Sequence, residues 1–567
     1  MRAEQHLEAS FRAVLKNMNL PWPDKAVIEP SKDPKHGDLA SNLALVSAKA
    51  AGMPPRELAA KMAEALRNED ASLASVEVAG PGFLNVTFSP EFWRETIRRI
   101  DDAADRFGQA TVGKGCKVQV EYVSANPTGP LHIGHGRGAA VGDTLARILR
   151  FAGYDVTTEY YINDAGRQMR LPGPSLWRRA QLRAGIAVEW PEDYYRGSYI
   201  IDIAREMMDK DPGLTSLSDA EGQDRCFAYG MQTILDGIKE DLREFRVEHQ
   251  VWFSERSLVE RGAVEETFER LKKAGLSFEK DGALWFRTTD FGDDKDRVLR
   301  KSDGSLTYFA SDIAYHDDKY RRGFDRVVDV WGADHHGYVP RMKAAVQAVG
   351  RKAEDLDVVL IQLVNLLENG TQVAMSTRAG QFETLADVVK EVGVDAARFM
   401  FLSRKSDSHL DFDLALVKQR SMDNPVYYVQ YAHARVRSVL RKAAEAGPTP
   451  PRKNGLGFFT EAGLTLPEKT DLALLAPLSE AEDLALLHFL DRFEDVAKGA
   501  AQALAPHHIS YYLMELAGML HSYYAKHPVL QAGDPELALA RLALLRSVGQ
   551  VVKNGLELLG VSAPESM

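Results

Sequence analysis

Two histidines three residues apart, His132 and His135, lie in a segment that could bind a phosphate. The segment reads Asn126-Pro127-Thr128-Gly129-Pro130-Leu131-His132-Ile133-Gly134-His135. It follows residues 117–123, which alternate like a β-strand, and precedes residues 138–149, whose apolar spacing predicts a helix. A helix N-terminus favours an anion, and Gly134 would let a nucleotide approach the backbone closely. This context favours a nucleotide site over a turn whose histidines serve only as caps.

A second candidate segment follows another predicted strand, at residues 326–331. It reads Trp331-Gly332-Ala333-Asp334-His335-His336-Gly337 and leads into a predicted helix at 339–349. Two histidines beside an aspartate also permit a metal site, although a third ligand would have to come from elsewhere. Two strand–loop–helix units predict a parallel sheet.

These segments belong to a chain of 567 residues, which is too long for a single hydrophobic core. Residues 1–110 are predicted to form an α+β module with two strands flanking a turn at 80–82. Residues 111–385 are predicted to form a Rossmann-like parallel-sheet domain with a helical insertion around 170–250. Residues 386–567 read as helices almost without interruption, which predicts an all-α domain. The predicted fold class is therefore multidomain α/β plus α.

Composition narrows the possible functions. The net charge of -11 argues against a protein that coats nucleic acid nonspecifically, although a local basic face remains possible. Cys116 and Cys226 are the only cysteines, so we expect no disulfide framework, no four-cysteine zinc site and a reducing, cytoplasmic compartment. No apolar run approaches the roughly 18 to 20 residues that cross a bilayer, and the N-terminus reads as an amphipathic helix.

The first segment, followed by Gly136, resembles the HIGH signature of class I aminoacyl-tRNA synthetases. The resemblance implies that ATP is a substrate and that His132, Gly134 and His135 are catalytic. The implied ATP-binding residues of the two segments are Asn126, Pro127, Thr128, Gly129, Pro130, Leu131, His132, Ile133, Gly134, His135, Gly136, Gly332, Asp334 and His335. An amino acid carboxylate, already ionised at pH 7, would attack the α-phosphorus without a general base. Catalysis can then consist mostly of positioning and charge stabilisation.

A weaker signature, Ala374-Met375-Ser376-Thr377-Arg378-Ala379-Gly380, resembles the KMSKS loop of the same class. Both lysine positions differ, so Arg378 is its only cation and is implied to be catalytic, while Met375 and Ser376 are implied to bind ATP. The alternative is an ordinary basic surface turn. Another Lys or Arg, or Mg²⁺, must supply the missing charge. We expect Mg²⁺ with ATP but no metal held by the protein alone.

The variant Met-Ser-Thr-Arg-x-Gly resembles bacterial-type arginyl-tRNA synthetases. Carboxylates and planar acceptors suit a guanidinium best. In this family, residues that match Glu121, Asn126, Tyr308 and Asp312 contact arginine, and His336 is implied to lie near the amino acid. The run from Leu306 to Asp312 reads as the end of a strand leading into a helix; alternatively, Asp312 is a helix cap and Tyr308 a core aromatic. Asn163-Asp164-Ala165-Gly166-Arg167 also matches the family and is implied to line the pocket, or it is only a turn.

The resemblance covers nearly the whole chain. Residues 36–42 and 79–83 resemble the N-terminal module of arginyl enzymes, which contacts the outer corner of tRNA, and residues 424–435 resemble the start of their anticodon-binding domain. Tyr427, Tyr431 and Arg435 are predicted tRNA contacts, because splayed bases stack on aromatic side chains; the alternative is helix core.

The resemblance implies ATP-dependent activation of L-arginine to arginyl-adenylate with release of pyrophosphate, then transfer to the 3′ end of tRNA(Arg). The implied partners are tRNA(Arg), arginine and ATP, without DNA or a membrane, and the implied state is a monomer. Three alternatives remain. They are a cysteinyl-type synthetase, disfavoured by only two cysteines; a small nucleotidylyltransferase, which needs no long helical domain; and a synthetase-like RNA binder without catalysis.

Overall fold

The structure is a computed structural model that describes residues 2–31, 33–164, 170–372, 384–445, 466–530 and 534–567. The N-terminal module consists of α1 (Ala3–Asn17), β1 (Ile28–Pro30), β2 (Leu39–Ser41), α2 (Leu43–Ala51), α3 (Pro55–Glu69), β3 (Leu73–Ala79), β4 (Phe83–Phe88) and α4 (Pro90–Ala103). Its strands form an antiparallel sheet in the order β1-β2-β4-β3. The predicted strands on either side of residues 80–82 are confirmed as β3 and β4. Helix α1 buries Leu7, Phe11 and Val14, the spacing of an amphipathic helix.

A five-stranded parallel sheet forms the centre of the next domain. Its elements and their connections are β5 (Lys117–Glu121), α5 (Ile133–Phe151), β6 (Asp155–Ile162), α6 (Pro172–Arg183), α7 (Ser198–Lys210), α8 (Asp219–Glu244), β7 (Val251–Ser254), α9 (Arg256–Glu260), α10 (Ala263–Lys273), β8 (Ser277–Lys280), β9 (Ala283–Phe286), β10 (Arg297–Arg300), α11 (Tyr308–Arg321), β11 (Arg326–Gly332), α12 (Val339–Ala348) and β12 (Leu356–Ile361). The parallel strands lie in the order β12-β11-β5-β6-β7, and β8 to β10 form a separate antiparallel sheet. Both predicted parallel strands, β5 and β11, are confirmed.

The strand order creates a crevice between β5 and β11. From β5 the chain proceeds to β6 and β7 on one side of the sheet, and later returns to β11 and β12 on the other side. The loops after β5 and β11 therefore diverge at the carboxyl edge, where doubly wound sheets bind their ligands. Both candidate segments follow these two strands.

Three helices, α6 to α8, lie within the residues predicted as a helical insertion. The insertion contacts the first candidate segment, since the Tyr199 hydroxyl donates to the backbone oxygen of Thr128 at 2.7 Å. It therefore forms one wall beside that segment.

A small mixed sheet corrects one sequence-based expectation. It consists of β13 (Val364–Glu368), β14 (Thr371–Gln372) and β15 (Leu410–Asp413), and the intervening and following helices are α13 (Leu385–Val392), α14 (Val394–Phe401) and α15 (Leu414–Lys418). The prediction of nearly uninterrupted helices after residue 383 is wrong at β15, which pairs in parallel with β13. Its four residues bury only Leu410 and Phe412, too short a pattern to show strand periodicity.

The C-terminal region is helical, with α16 (Pro425–Glu445), α17 (Leu472–Leu475), α18 (Ala481–Asp491), α19 (Phe493–Gln502), α20 (His507–Lys526) and α21 (Pro535–Leu558). It packs against the N-terminal module, where Arg546 pairs with Asp101 at 2.6 Å and the rings of Trp93 and His488 lie 3.8 Å apart. The domain limits at 110 and 385 stay predictions. Among the described residues, no helix combines the length and apolar character needed to span a membrane.

Candidate active site

The segment after β5 ends at a helix N-terminus that its own histidines cap. His132 is the N-cap residue of α5, and its Nδ1 accepts a hydrogen bond from the backbone N–H of Gly134 at 3.1 Å. The Nδ1 of His135 accepts from the backbone N–H of His132 at 3.3 Å. Because a backbone N–H can only donate, each neutral ring carries its proton on Nε2. Both rings therefore offer an Nε2–H donor to a ligand.

Burial keeps these two rings uncharged. Their centroids lie 3.6 Å apart in a stacked arrangement. Burial lowers the pKa of His132, and burial together with the neighbouring His132 lowers the pKa of His135 to about 3. At pH 7 an anion at this helix N-terminus would meet N–H dipoles rather than two imidazolium charges.

The other residues of this segment differ in exposure. Asn126 is exposed, Pro127 and Leu131 are buried, and Thr128, Gly129 and Pro130 are half-buried. Ile133 and Gly136 are buried in the first turn of α5. A Cβ on Gly136 would lie 2.6 Å from Cδ1 of Leu385, so a larger residue there would require the Leu385 side chain of α13 to shift.

The segment that follows the predicted KMSKS-type loop returns to the histidines. Met375, Ser376 and Arg378 lie outside the described residues. The described chain resumes at Thr384, which forms a β-bridge with His132, and the backbone N–H of Leu385 donates to the oxygen of Leu131 at 2.8 Å. The chain therefore leaves this loop beside His132.

The second candidate segment lies at the end of β11. Gly332 caps a short 3₁₀ helix, Ala333–Tyr338, in which Asp334 and His335 are exposed and lie 3.5 Å apart. Nδ1 of His336 contacts the oxygen of Ala333 at 3.2 Å. These exposed polar groups face solvent in this structure and leave room for a ligand.

Glu121, at the end of β5, is buried and already has two partners. Its Oε2 accepts from the Lys319 ammonium at 2.6 Å, and its Oε1 accepts from the Ser124 hydroxyl at 3.0 Å. Burial raises the pKa of Glu121, although Lys319 opposes this shift. Lys319 also donates to Asp329, in β11, at 2.9 Å.

A strained turn brings Ser124 to this carboxylate. The backbone N–H of Ser124 donates to the oxygen of Tyr122 at 3.0 Å, which makes a three-residue turn around Val123. Val123 has φ +69° and Ser124 has φ +40°, a region that β-branched residues rarely adopt. Such strain persists where the surrounding structure holds it, and it is common at functional sites.

Four carboxylates surround Tyr161 at the carboxyl edge of the sheet. Burial, and then the charges of Glu255, Asp312, Glu121 and Asp164, raise the pKa of the Tyr161 hydroxyl. Glu121 ends β5, Asp164 and Glu255 follow β6 and β7, and Asp312 lies on α11. The sequence predicted Glu121 and Asp312 for one pocket, and the structure brings them together. Asp164, named with the pocket-lining run, accepts from the Ser254 hydroxyl at 2.6 Å, and residues 165–167 of that run lie outside the described residues.

Asp312 lies one turn into α11 and is not its cap, since Thr307 caps the helix. Its carboxylate accepts from the Tyr338 hydroxyl, and burial raises its pKa to about 6. Tyr308, predicted beside it, is 63% exposed and is therefore not a core aromatic.

Glu255 is the residue of this cluster that the sequence analysis missed. It is 5% exposed, it accepts hydrogen bonds from Ser311 and Tyr161, and burial raises its pKa. Within the described residues, no Lys, Arg or His side chain forms an ion pair with Asp312, Glu255 or Asp164. The arrangement can therefore accept a cation.

A second surface, on α16, carries the predicted tRNA contacts. The rings of Tyr427 and Tyr431 are parallel within 9°, with centroids 5.9 Å apart. The Arg435 guanidinium donates to the Tyr431 hydroxyl at 2.8 Å and lies over the rings of Tyr431 and Tyr524. Tyr427, Tyr431 and Arg435, which we call the aromatic ladder, are half-buried and therefore partly accessible.

Comparisons with known proteins agree with this geometry. Family models match residues 5–88 (arginyl tRNA synthetase N terminal domain), 101–414 (tRNA synthetases class I (R), catalytic domain) and 429–567 (DALR anticodon binding domain). The chain is 69% identical over 567 residues to an arginine–tRNA ligase of Nitratidesulfovibrio vulgaris and 63% identical to one of Oleidesulfovibrio alaskensis, with 100% of each chain covered. The solved Thermus thermophilus arginyl-tRNA synthetase shares the fold, with a TM-score of 0.72 at 23% identity and 100% of both chains covered.

The chain belongs to the arginyl-tRNA synthetase family. It activates arginine with ATP and transfers arginine to tRNA, as the resemblance of its signatures implied. The predicted fold is confirmed for this arginyl-tRNA synthetase, with a class I parallel-sheet domain between an N-terminal module and a helical anticodon domain.

One further cluster of potential metal ligands occurs in the described part of this arginyl-tRNA synthetase, at Glu480, Glu482 and His527. Glu480 pairs with Arg541 at 3.0 Å, and Glu482 pairs with Lys526 at 3.3 Å. Their existing partners explain these residues without a metal.

Proposed function

We propose that the four-carboxylate cluster around Tyr161 binds the substrate arginine. Asp312 and Glu255 hold the guanidinium, because a half-buried and a buried carboxylate without a cationic partner match its fork of N–H donors. This absence of a partner, within the described residues, is the observation that carries the proposal. Glu121 keeps lone pairs for a substrate N–H, and Asn126, Tyr308 and His336 contribute further contacts at the rim.

ATP binds between the loops that follow β5 and β11. The Nε2–H groups of His132 and His135 donate to phosphate oxygens, and Gly134 and the other residues of this segment keep the α5 N-terminus accessible. Gly332, Asp334 and His335 hold the ribose and adenine. Met375 and Ser376 contact ATP, and Arg378 contacts the pyrophosphate.

Mg²⁺ enters with ATP as part of the substrate. Imidazole N–H donors do not ligate Mg²⁺, which prefers oxygens, so the described residues at the α5 N-terminus do not form a magnesium cage. The ion screens polyphosphate charge, and the chain's own groups position the phosphates.

The arginine carboxylate then attacks the α-phosphorus in line. It is ionised at pH 7, so no side chain needs to remove a proton. The bond from the α-phosphorus to the bridging oxygen breaks, and pyrophosphate leaves with the electron pair. The neutral imidazoles stabilise charge on the phosphoryl oxygens through preorganised hydrogen bonds.

The aromatic ladder of Tyr427, Tyr431 and Arg435 contacts tRNA(Arg) by stacking and by cation contacts. All of the groups named here belong to one chain, and we propose that the protein acts as a monomer. We also propose that it is cytoplasmic. Sedimentation of the purified chain tests the oligomeric state.

Arginine-dependent exchange between ATP and pyrophosphate, measured with and without tRNA(Arg), tests the pocket. Glu255→Gln removes one proposed guanidinium ligand, and Glu260→Gln, an exposed glutamate on the neighbouring α9, is the matched control. We expect the first variant to raise the KM for arginine by about 10- to 100-fold, because a charge-assisted contact contributes roughly 1.5–3 kcal/mol, and the control to match the wild type. Equal KM values for both variants would refute this pocket.

A further inference from the structure

Arg137, two residues after His135, is completely buried, and its side-chain hydrogen bonds among the described residues all go to backbone carbonyls. One guanidinium nitrogen donates to the oxygens of Gln362 at 2.7 Å and Ser408 at 2.8 Å, and another donates to that of Lys405 at 2.9 Å. Within the described residues, no carboxylate forms an ion pair with it. Burial lowers its pKa to about 10, so the group stays charged at neutral pH. Because a buried charge is costly unless it is hydrogen-bonded, the Arg137 guanidinium requires these three carbonyls to stay in fixed positions.

The three carbonyls belong to the two segments that begin the small mixed sheet. Gln362 lies two residues before β13, and Lys405 and Ser408 lie in the turn before β15. These segments also contact each other, because the backbone N–H of Gln362 donates to the oxygen of Ser406 at 2.8 Å. Arg137 therefore fixes the first turns of α5 to the start of both strands.

This small sheet leads directly into the predicted KMSKS-type loop. β13 continues through β14 to residue 372, and residues 373–383 connect it to Thr384, which pairs with His132. Arg137 therefore anchors the start of the small sheet, and the pairing of Thr384 with His132 anchors the residue before α13. Both anchors meet at the N-terminal part of α5.

We propose that Arg137 is a positioning residue of the ATP site, which sets the first turns of α5, and with them His132 and His135, in register with the small sheet. The inference rests on the proposed role of these histidines in binding ATP. Arg137 itself touches no substrate; its guanidinium fork spans three carbonyls at once, which a lysine ammonium cannot reproduce with the same planar geometry. Its loss lets the first turns of α5 shift against the small sheet and so impairs the ATP step, while the arginine pocket on β6, β7 and α11 stays intact.

The test compares Arg137→Lys, which keeps the charge but not the fork, with Arg137→Met, which removes both. Arg541→Met is the matched control, because Arg541 is also a buried arginine that donates to a backbone carbonyl, that of Pro528, but in the helical domain. The readouts are kcat/KM for ATP in arginine-dependent pyrophosphate exchange, KM for arginine, and Tm.

We expect Arg137→Lys to lower kcat/KM for ATP by about 100-fold, since a displacement of roughly 1 Å costs that much in a positioned reaction. KM for arginine should stay within about twofold in this variant. Arg541→Met should lower Tm without changing kcat/KM for ATP. An unchanged kcat/KM for ATP in Arg137→Lys, or an equal loss for ATP and arginine, would overturn the inference.

Hydrogen exchange provides a second measurement, which does not depend on activity or on the folding of Arg137→Met. In Arg137→Lys we expect faster exchange of the amides of β13 and of Leu385, with unchanged exchange in α11. Unchanged protection of β13 and Leu385 would contradict the positioning role. If the wild type shows no arginine-dependent exchange of pyrophosphate, the proposed function fails. The hydrogen-exchange measurement would still test whether Arg137 positions the small sheet.

Discussion

The ammonium of Lys319 lies 2.6 Å from the Glu121 carboxylate, and both groups are buried in the crevice of the central sheet. The same ammonium reaches Asp329, which also contacts Nε2 of His316 at 2.9 Å. The other ring nitrogen of His316 faces the backbone oxygen of Asp312 at 2.8 Å. The His316 ring therefore links Asp329 to the backbone of α11. Lys319 and His316 together connect β5 and β11 to α11.

Lys319→Met should destabilise the protein by about 3–5 kcal/mol, because it leaves two buried carboxylates without their shared cation. Burial alone would raise the pKa of Asp329, but Lys319 and His316 outweigh it and lower the value to about 2. Urea unfolding measures the change. The double variant Lys319→Met/Asp329→Asn should recover part of the loss, because it removes one unpaired charge. A loss below about 1 kcal/mol in the single variant would contradict this account.

Arginine binding should weaken in acid. The pKa of Asp312 is raised by burial to about 6, and a bound guanidinium lowers it, so binding below pH 6 must release a proton. The association constant then falls by about tenfold per pH unit below 6 and is constant above it. Glu255, whose pKa burial also raises, acts in the same direction.

Calorimetric titration with arginine from pH 5 to 7.5, at constant ionic strength, measures this dependence. Asp312→Asn is the control, and it should bind arginine weakly with a shallower dependence on pH. An affinity that stays constant down to pH 5 would show that Asp312 does not titrate on binding.

Two variants of His135 distinguish the role of its Nε2–H donor from that of its Nδ1 acceptor. His135→Asn keeps an acceptor near the Nδ1 position, which receives the backbone N–H of His132, but loses the Nε2–H donor. His135→Gln keeps a donor near the Nε2 position. We expect kcat for pyrophosphate exchange to fall by about 100-fold or more in His135→Asn and less in His135→Gln. Because the pKa of His135 is lowered to about 3, the wild-type rate should not depend on its titration between pH 6 and 8. Equal losses in both variants would refute the donor role.

The sequence predicted the parts of this site that depend on local patterns. The strands β5 and β11 and the helix after the histidine segment follow from periodicity, and Glu121 and Asp312, which we propose bind arginine, follow from family motifs. Glu255 and Lys319 were missed because their environments depend on contacts between distant segments. Lys319, for example, lies 198 residues from Glu121 along the chain, and no local pattern marks a lysine as buried. The same limit explains β15, whose partner strand lies 46 residues away.

Two arginines on α16, Arg435 in the aromatic ladder and Arg437 outside it, form a matched pair for testing tRNA binding. Arg435 lies over Tyr431 and Tyr524, whereas Arg437, two residues later, pairs with Glu565 at the surface. Arg435→Met should weaken tRNA(Arg) binding by about 10-fold or more, since a stacking platform contributes roughly 1–3 kcal/mol per base. Arg437→Met should have a much smaller effect. Fluorescence titration of labelled tRNA(Arg) measures both, and equal effects would indicate general attraction of RNA rather than a contact at the ladder.

Two glycines of α5 test how tightly this helix packs on the sheet. A Cβ on Gly142 would lie 2.1 Å from Cγ of the buried Tyr122, whereas a Cβ on Gly138 would meet nothing within 4 Å. Alanine favours a helix over glycine by about 1 kcal/mol, so Gly138→Ala should stabilise the protein by up to that amount. Gly142→Ala should instead destabilise it by about 1–3 kcal/mol, because overpacking outweighs the gain in helix propensity. Chemical denaturation of both variants measures the difference. A stabilised Gly142→Ala would mean that Tyr122 can move away, and with it the strand end that carries Glu121.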